Sequence, residues 1–318
     1  MAVTKIRLGI SACLLGQKVR YDGGHKRDPF LTETLAQYVD YVAVCPEVEI
    51  GLPIPREALR LVGDAEHPRL VTSKTGRNYT DQMQTWAAER LRQLETENLC
   101  GFIFKSRSPS SGMERVKVYS TAGGMPSKTG VGVFARAFMA HFPLLPVEEE
   151  GRLHDPRLRE NFIECIFAFQ RWRQLLQQDK TRHALIVFHS RHKLQLLAHN
   201  TELYRQLGKL VATAAEHSND ELFDLYQTDF IKAMRLKSTV KKNVNVLQHM
   251  LGYFKKDLSA DEKQECLEKI DDYAALKVPL LVPLTLIGHY VRKYDQRYLK
   301  EQTYLSPAPL ELKLRNHV

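Results

Sequence analysis

Two cysteines and a serine cluster each stand where a short apolar run gives way to a loop. Cys13 follows KIRLGIS (residues 5–11), Cys45 closes YVAVC (41–45), and Ser108-Pro-Ser-Ser111 follows GFIFK (101–105). A thiol at the end of a strand sits near loop N–H groups that can lower its pKa and leave it a thiolate. Two such thiolates with a third soft ligand could hold an iron–sulfur cluster with one iron open to substrate. The same spacing also fits two small buried residues at strand ends, a common use of cysteine.

Positioning these residues requires a sheet. The three apolar runs read as strands, and Asp81 to Glu97 reads as an amphipathic helix with Thr80 as N-cap. Met83, Ala87, Leu91 and Leu94 form its apolar face. Strands alternating with helices predict an α/β domain with a mostly parallel, Rossmann-like sheet. Ligands of such sheets bind beyond the carboxyl ends of the strands, so the three loops should converge. From about residue 155 the pattern turns helical, which predicts an all-α C-terminal domain. Helices are expected over Pro156–Gln178, with a stripe of Leu158, Phe162, Ile166 and Phe169, and over Arg191–Glu216, Asp220–Leu236 and Thr239–Lys256. Ser259 with Glu262 reads as a capping box. The expected domains are 1–150 and 151–318, joined by HFPLLPVEEEGRLHDP as a linker.

The 318 residues are 43% apolar and 26% charged, which excludes disordered and collagen-like chains. The net charge is +9: residues 1–150 carry 19 Lys+Arg against 17 Asp+Glu, and residues 151–318 carry 27 against 20. That surplus suits a polyanionic partner or a basic solvated surface. The start lacks a signal-peptide pattern. The apolar stretch Val278–Val291 is interrupted by Pro279, Pro283 and His289 and is too short to span a bilayer. A cytoplasmic protein with no membrane contact and no obvious protein partner is expected. Five cysteines argue against a disulfide framework and leave a metal ligand or nucleophile as the role of any special one.

S-x-C-L-x-G with R-Y-D-G, then C-P-E with G-L-P-x-P-R, then K-x-R-S-P-S together resemble the thiouracil desulfidase (TudS-like) family. The stretch from RHKLQLLAHN to EQTYLSPAPLELKLRNH resembles the YbgA-like domain. The fusion resembles RudS-like desulfidases of thiolated uridine in tRNA. The resemblance implies hydrolytic, non-redox desulfidation on a [4Fe-4S] cluster held by three cysteines. Cys13 and Cys45 would be two ligands, and Ser111 occupies the place of the third. Glu47 would be the general acid/base, and Ser108 would orient water or substrate. Lys105, Arg20 and Tyr21 would lie on the substrate side.

The family pattern S-P-S-C-G reads Ser108-Pro-Ser-Ser111-Gly112 here. Three explanations stand: Ser111 ligates as an alkoxide, another residue substitutes, or the chain holds little or no cluster. Cys100 precedes its strand whereas Ser111 follows it, and a five-residue strand separates its ends by roughly 15 Å. Cys165 and Cys266 belong to the helical half.

In that half, Lys237, Lys241, Lys242, Lys255 and Lys256 flank an apolar stripe, either as phosphate contacts or as a solubilising face. Tyr290, Arg292, Lys293, Tyr294, Arg297, Tyr298 and Lys300 suit stacking on bases or a core-facing tyrosine stripe. His189, His192 and His199 share an arc that suits a metal or simple burial. Thr121–Gly132 reads as a mobile loop near the pocket. The expected function is desulfidation of thiolated uracil or uridine, either 4-thiouridine or 2-thiouridine in tRNA. The alternatives are an RNA-binding or regulatory protein with a degenerate, cluster-deficient pocket, and a desulfidase of free thiouracil only.

Overall fold

A computed structural model describes residues 5–317. The chain divides between His154 and Asp155 into two compact units.

The N-terminal unit has strands β1 (Ile6–Ser11), β2 (Val39–Val44), β3 (Leu59–Val62), β4 (Arg69–Thr72), β5 (Phe102–Phe104), β6 (Val116–Tyr119), β7 (Ser127–Gly130) and β8 (Val147–Glu149). Its helices are α1 (Pro46–Glu49), α2 (Thr80–Glu95) and α3 (Val133–His141). One sheet runs β2-β1-β5-β8 and is parallel throughout. The central strands β1 and β5 are largely apolar and buried, as parallel strands covered on both faces are, whereas the edge strand β8 reads Val-Glu-Glu. The chain leaves β1 to one side for β2 and to the other for β5, so the carboxyl ends of these strands flank a switch point. Phe102 packs against Phe138 of α3 at 4.6 Å between ring centroids. A Cβ on Gly9 would lie 2.2 Å from the Phe102 ring, so glycine is required for β1 and β5 to approach.

A second sheet, β4-β3-β6-β7, mixes antiparallel and parallel pairs. The sequence reading missed it: each strand has four residues, too few to show a period against their charged and glycine neighbours. Three other expectations are corrected. Thr80 does not cap α2; its hydroxyl accepts from the Leu70 N–H at 2.8 Å and donates to Asn78 Oδ1 at 2.6 Å. The expected linker contains β8, and Glu148, Glu149 and Glu150 are buried and partnered rather than solvated. The glycine-rich loop supplies β7 and does not line the pocket described below.

The C-terminal unit is built from α4 (Pro156–Gln178), α5 (Arg182–His199), α6 (Thr201–Ala212), α7 (Asn219–Arg235), α8 (Val240–Leu251), α9 (Ala260–Ala274), α10 (Leu281–Lys293) and α11 (Arg297–Lys300). The capping box of α9 is complete: Ser259 N–H donates to Glu262 Oε2 at 2.9 Å, and Glu262 N–H to Ser259 Oγ at 3.2 Å. The expected helix over Arg191–Glu216 is instead two. Asn200 breaks it by turning extended and capping α6, accepting the Leu203 N–H at 2.8 Å. Tyr290 lies in the apolar core that α8, α9 and α10 share with the end of α5, and Tyr294 and Tyr298, partly buried, pack against it. Among the described residues no helix is long and apolar enough to cross a membrane.

Candidate active site

The ends of β1, β2 and β5 open on a cavity of about 360 Å³. Cys13, Cys45, Glu47, Lys105, Ser108 and Ser111 line it, as do Arg20 and Tyr21. The eight candidates from the N-terminal half therefore share one pocket.

Each loop is pinned by its own backbone. The Cys13 carbonyl accepts from Lys26 N–H at 2.9 Å and from Gly16 N–H at 3.3 Å. Gly16 has φ 91°, a conformation that favours glycine. At the second loop, Pro46 opens α1, and the Glu49 carboxylate accepts the Cys45 N–H at 3.0 Å. Glu47 then faces Cys45, with Sγ and Oε2 3.6 Å apart. At the third loop, the Ser108 hydroxyl accepts the N–H groups of Ser110 at 3.3 Å and Ser111 at 3.1 Å. That is a serine turn. The Ser111 hydroxyl has no hydrogen-bond partner among the described residues.

Three lining or supporting residues were given no role in the sequence reading. Ser11 Oγ accepts the Lys105 N–H at 2.9 Å and ties the end of β1 to that of β5. Glu150, just past β8, accepts from Lys105 Nζ at 2.5 Å and from Ser106 N at 2.7 Å. Arg56 lines the pocket and donates to the Val19 carbonyl at 3.0 Å. Glu150 lay in the supposed linker, and only its three-glutamate run hinted at a role. Arg56 ends the quoted G-L-P-x-P-R motif and was legible there.

The thiols do not behave as the strand-end argument expected. Burial, partly offset by Lys105, pushes the Cys13 thiol up to about 11. Burial and then the Glu47 carboxylate push Cys45 up to about 12. Desolvation outweighs the loop N–H groups, so both are neutral thiols near neutral pH. A metal would have to displace their protons.

The donor set is two thiols and one hydroxyl. Oxygen is a hard donor, and a serine hydroxyl gives up its proton far less readily than a thiol. Among the described residues, no group of three or more His, Cys, Asp or Glu is placed to hold a metal ion. Cys100 is buried at the opposite end of β5, where its N–H pairs with the Arg7 carbonyl. The residues present therefore do not fit a cluster held by three thiolates.

The C-terminal candidates are dispersed. Lys241, Lys255 and Lys256 are exposed. Lys242 donates its Nζ to the His199 carbonyl at 2.6 Å, and Lys237 lines a separate cavity. The three histidines do not converge on a metal. His189 Nδ1 meets the Tyr226 hydroxyl at 3.1 Å. His192 contacts the Phe188 carbonyl at 2.7 Å and Arg171 Nε at 3.1 Å. His199 lies between the Leu236 carbonyl and Glu164. Each is buried with its own partners, which explains the shared arc.

Comparison with known proteins separates the same two halves. The uncharacterized protein YbgA of Escherichia coli (strain K12) is 34% identical over 161 residues, which are 50% of this chain and 95% of that protein. The chain belongs to the YbgA-like family. A protein family of unknown function, DUF1722, matches residues 193–309 of this YbgA-like part. The 2-thiouracil desulfurase family matches residues 8–150. A [4Fe-4S]-dependent thiouracil desulfidase, TudS, has a solved structure 30% identical to this chain. It covers 48% of this chain and 95% of its own, with a TM-score of 0.39. A TudS-like domain is thus fused to a YbgA-like domain, as in RudS-type proteins. The match links the N-terminal half to thiouracil desulfuration at the level of the family.

Proposed function

We propose that the N-terminal pocket binds a thiolated uracil or uridine and replaces its sulfur with oxygen by hydrolysis, without redox change. The observation that carries this reading is the convergence of Cys13, Cys45, Glu47, Lys105, Ser108 and Ser111 on one cavity. Its volume suits a pyrimidine. The reaction balances without an oxidant or reductant: water oxygen bonds to the thiocarbonyl carbon, the carbon–sulfur bond breaks, and sulfur leaves as hydrosulfide with a proton from water. In this reading Glu47, 3.6 Å from Cys45 Sγ on the pocket wall, takes the water proton or returns one to the ring. Arg56 brings positive charge to the pocket wall, where negative charge develops on the substrate, while Lys105 is held there by Glu150. Ser108 holds the loop and can orient water at its edge. The basic excess of the helical half supports tRNA as the carrier of the thiolated base, which would have to be exposed or flipped to enter.

Ser111 favours a second reading, in which this chain binds its ligand but turns it over poorly for want of a third thiolate. One experiment addresses both. Sulfide release from thiouracil and from thiolated tRNA is compared for the unaltered chain and Ser111→Cys after anaerobic reconstitution with iron and sulfide. Turnover in either form supports desulfidation. Turnover confined to the cysteine form supports the second reading for the chain as it stands. No sulfide from either form overturns the proposal.

A further inference from the structure

The helical unit holds its own cavity of about 370 Å³. Arg157, Glu160, Asn161 and Glu164 of α4 line it at intervals of three and four residues, which places them on one helix face. Its floor is ionic and buried. Arg315 donates to Glu164 Oε1 from Nε at 2.9 Å and from Nη2 at 2.6 Å. His199 Nε2 lies 3.2 Å from Glu164 Oε2. This trio fastens the C-terminal tail and α5 to α4, and packing alone accounts for it.

A carboxyl and two cations remain on the cavity's lining. Glu160 is 8% exposed, and its Oε2 accepts the Arg315 N–H at 2.7 Å. Its Oε1 has no hydrogen-bond partner among the described residues. His317 Nδ1 lies 3.6 Å from the same Oε2, which leaves the other oxygen for the cavity that Glu160 lines. At the rim stand Arg157 and Lys237, both exposed, and neither side chain is ion-paired with another described residue. The Asp155 carboxylate nearby is engaged in capping α4, accepting from Arg157 N at 2.9 Å and Leu158 N at 3.0 Å. Both cations line the same cavity as the Glu160 carboxyl.

We propose that this cavity is a second ligand site and that its ligand is a nucleotide, with the phosphate between Arg157 and Lys237 and the base edge on the Glu160 carboxyl. Guanidinium and ammonium together suit a phosphate. The volume lies in the range of small-molecule sites and exceeds the needs of a bare anion. Burial, then the neighbouring Glu164 carboxylate, raise the Glu160 carboxyl above the ordinary glutamate range, so it can meet a base as donor or as acceptor. The anion site stands on these residues alone. The choice of a nucleotide over other organic phosphates rests on reading the N-terminal pocket as one for thiolated uracil or uridine.

The test is calorimetric titration of the full chain with UMP, with a single-stranded RNA oligonucleotide and with inorganic phosphate. The parent is compared with Arg157→Ala/Lys237→Ala and with Glu160→Gln. UMP or the oligonucleotide should bind, and the double variant should weaken binding at least about tenfold. Glu160→Gln should weaken the nucleotide and leave phosphate unchanged. Binding of UMP identifies a free nucleotide as sufficient; binding of the oligonucleotide alone identifies a nucleotide within RNA. Either supports the site. Phosphate binding as tightly as UMP or the oligonucleotide overturns the nucleotide, and binding unaffected by the rim variant, or absent, overturns the site. Thiouracil desulfidation is read separately through sulfide release, which the rim variant should leave at the parent's rate, so failure of one reading does not imply failure of the other.

Discussion

The Ser111 backbone N–H donates to the Ser108 hydroxyl at 3.1 Å, which fixes position 111 on the pocket wall whatever its side chain. The Gly112 N–H returns to the Ser108 carbonyl at 2.8 Å. A Cβ on Gly112 would lie 2.5 Å from Val116 Cγ2, so the turn tolerates no larger residue there. Ser111→Cys exchanges one oxygen for sulfur on a loop held by its own backbone. After anaerobic reconstitution, the variant should carry about four iron and four sulfide per chain, and the unaltered protein less than about one iron. Chemical iron and sulfide analysis checks this. Equal occupancy in the two would show that the hydroxyl, or another ligand, suffices.

Glu47 faces Cys45 across 3.6 Å and has no competing ion pair among the described residues. In the Ser111→Cys background, Glu47→Gln should lower kcat for thiouracil by about a hundredfold or more, the usual contribution of a general acid or base. The Kd for thiouracil should hardly move. Steady-state rates with a binding titration distinguish this from a Glu47 that only positions the loop, for which Kd would rise as kcat fell.

Glu150 accepts from Lys105 Nζ, Ser106 N and Ser106 Oγ at 2.5 to 2.8 Å. It is therefore the anchor of the third loop's first turn. Glu150→Gln removes the charge and turns one oxygen into a donor facing donors. A loss of about 2 kcal/mol in the stability of the N-terminal unit is expected. Urea unfolding would show a lower midpoint, and an unchanged midpoint would place the loop's stability elsewhere.

In the helical unit, burial and the Glu164 carboxylate hold the Glu160 carboxyl above its ordinary 4.5. The folded state then binds that proton more tightly than the unfolded state. The contribution to stability is full below 4.5 and is lost as the pH rises from there toward neutrality. Burial lowers His189 to about 4 and His192 well below its ordinary value, which makes stability rise with pH through part of the same window. The parent curve therefore mixes opposite slopes, and the difference from Glu160→Gln isolates one of them. Relative to the parent, the variant should gain stability steadily from pH 4.5 to neutrality. A flat difference would mean that Glu160 titrates alike in both states.

The pocket was legible because its residues sit at the ends of three apolar strands, and a parallel sheet brings such ends together. Cys13, Cys45 and the Ser108–Ser111 turn could be placed from that rule alone. Their protonation could not be read that way, since the loop N–H groups are visible in the sequence and the depth of burial is not. Glu150 was hidden for a related reason. Three successive glutamates beside prolines look solvated until β8 places them against Lys105 and the 113–114 backbone. The second sheet was lost to four-residue strands, and the division of α5 from α6 to a single asparagine cap. The charged floor of the helical cavity joins residues 160, 164, 199 and 315, separations that no local pattern carries.

The most direct measurement is sulfide released against uracil formed when reconstituted Ser111→Cys and the unaltered chain are each given thiouracil without oxidant or reductant. The account predicts one sulfide per uracil from the cysteine form, and a rate at least about tenfold lower from the unaltered chain. Absence of sulfide from both forms, with thiouracil recovered intact, would contradict it.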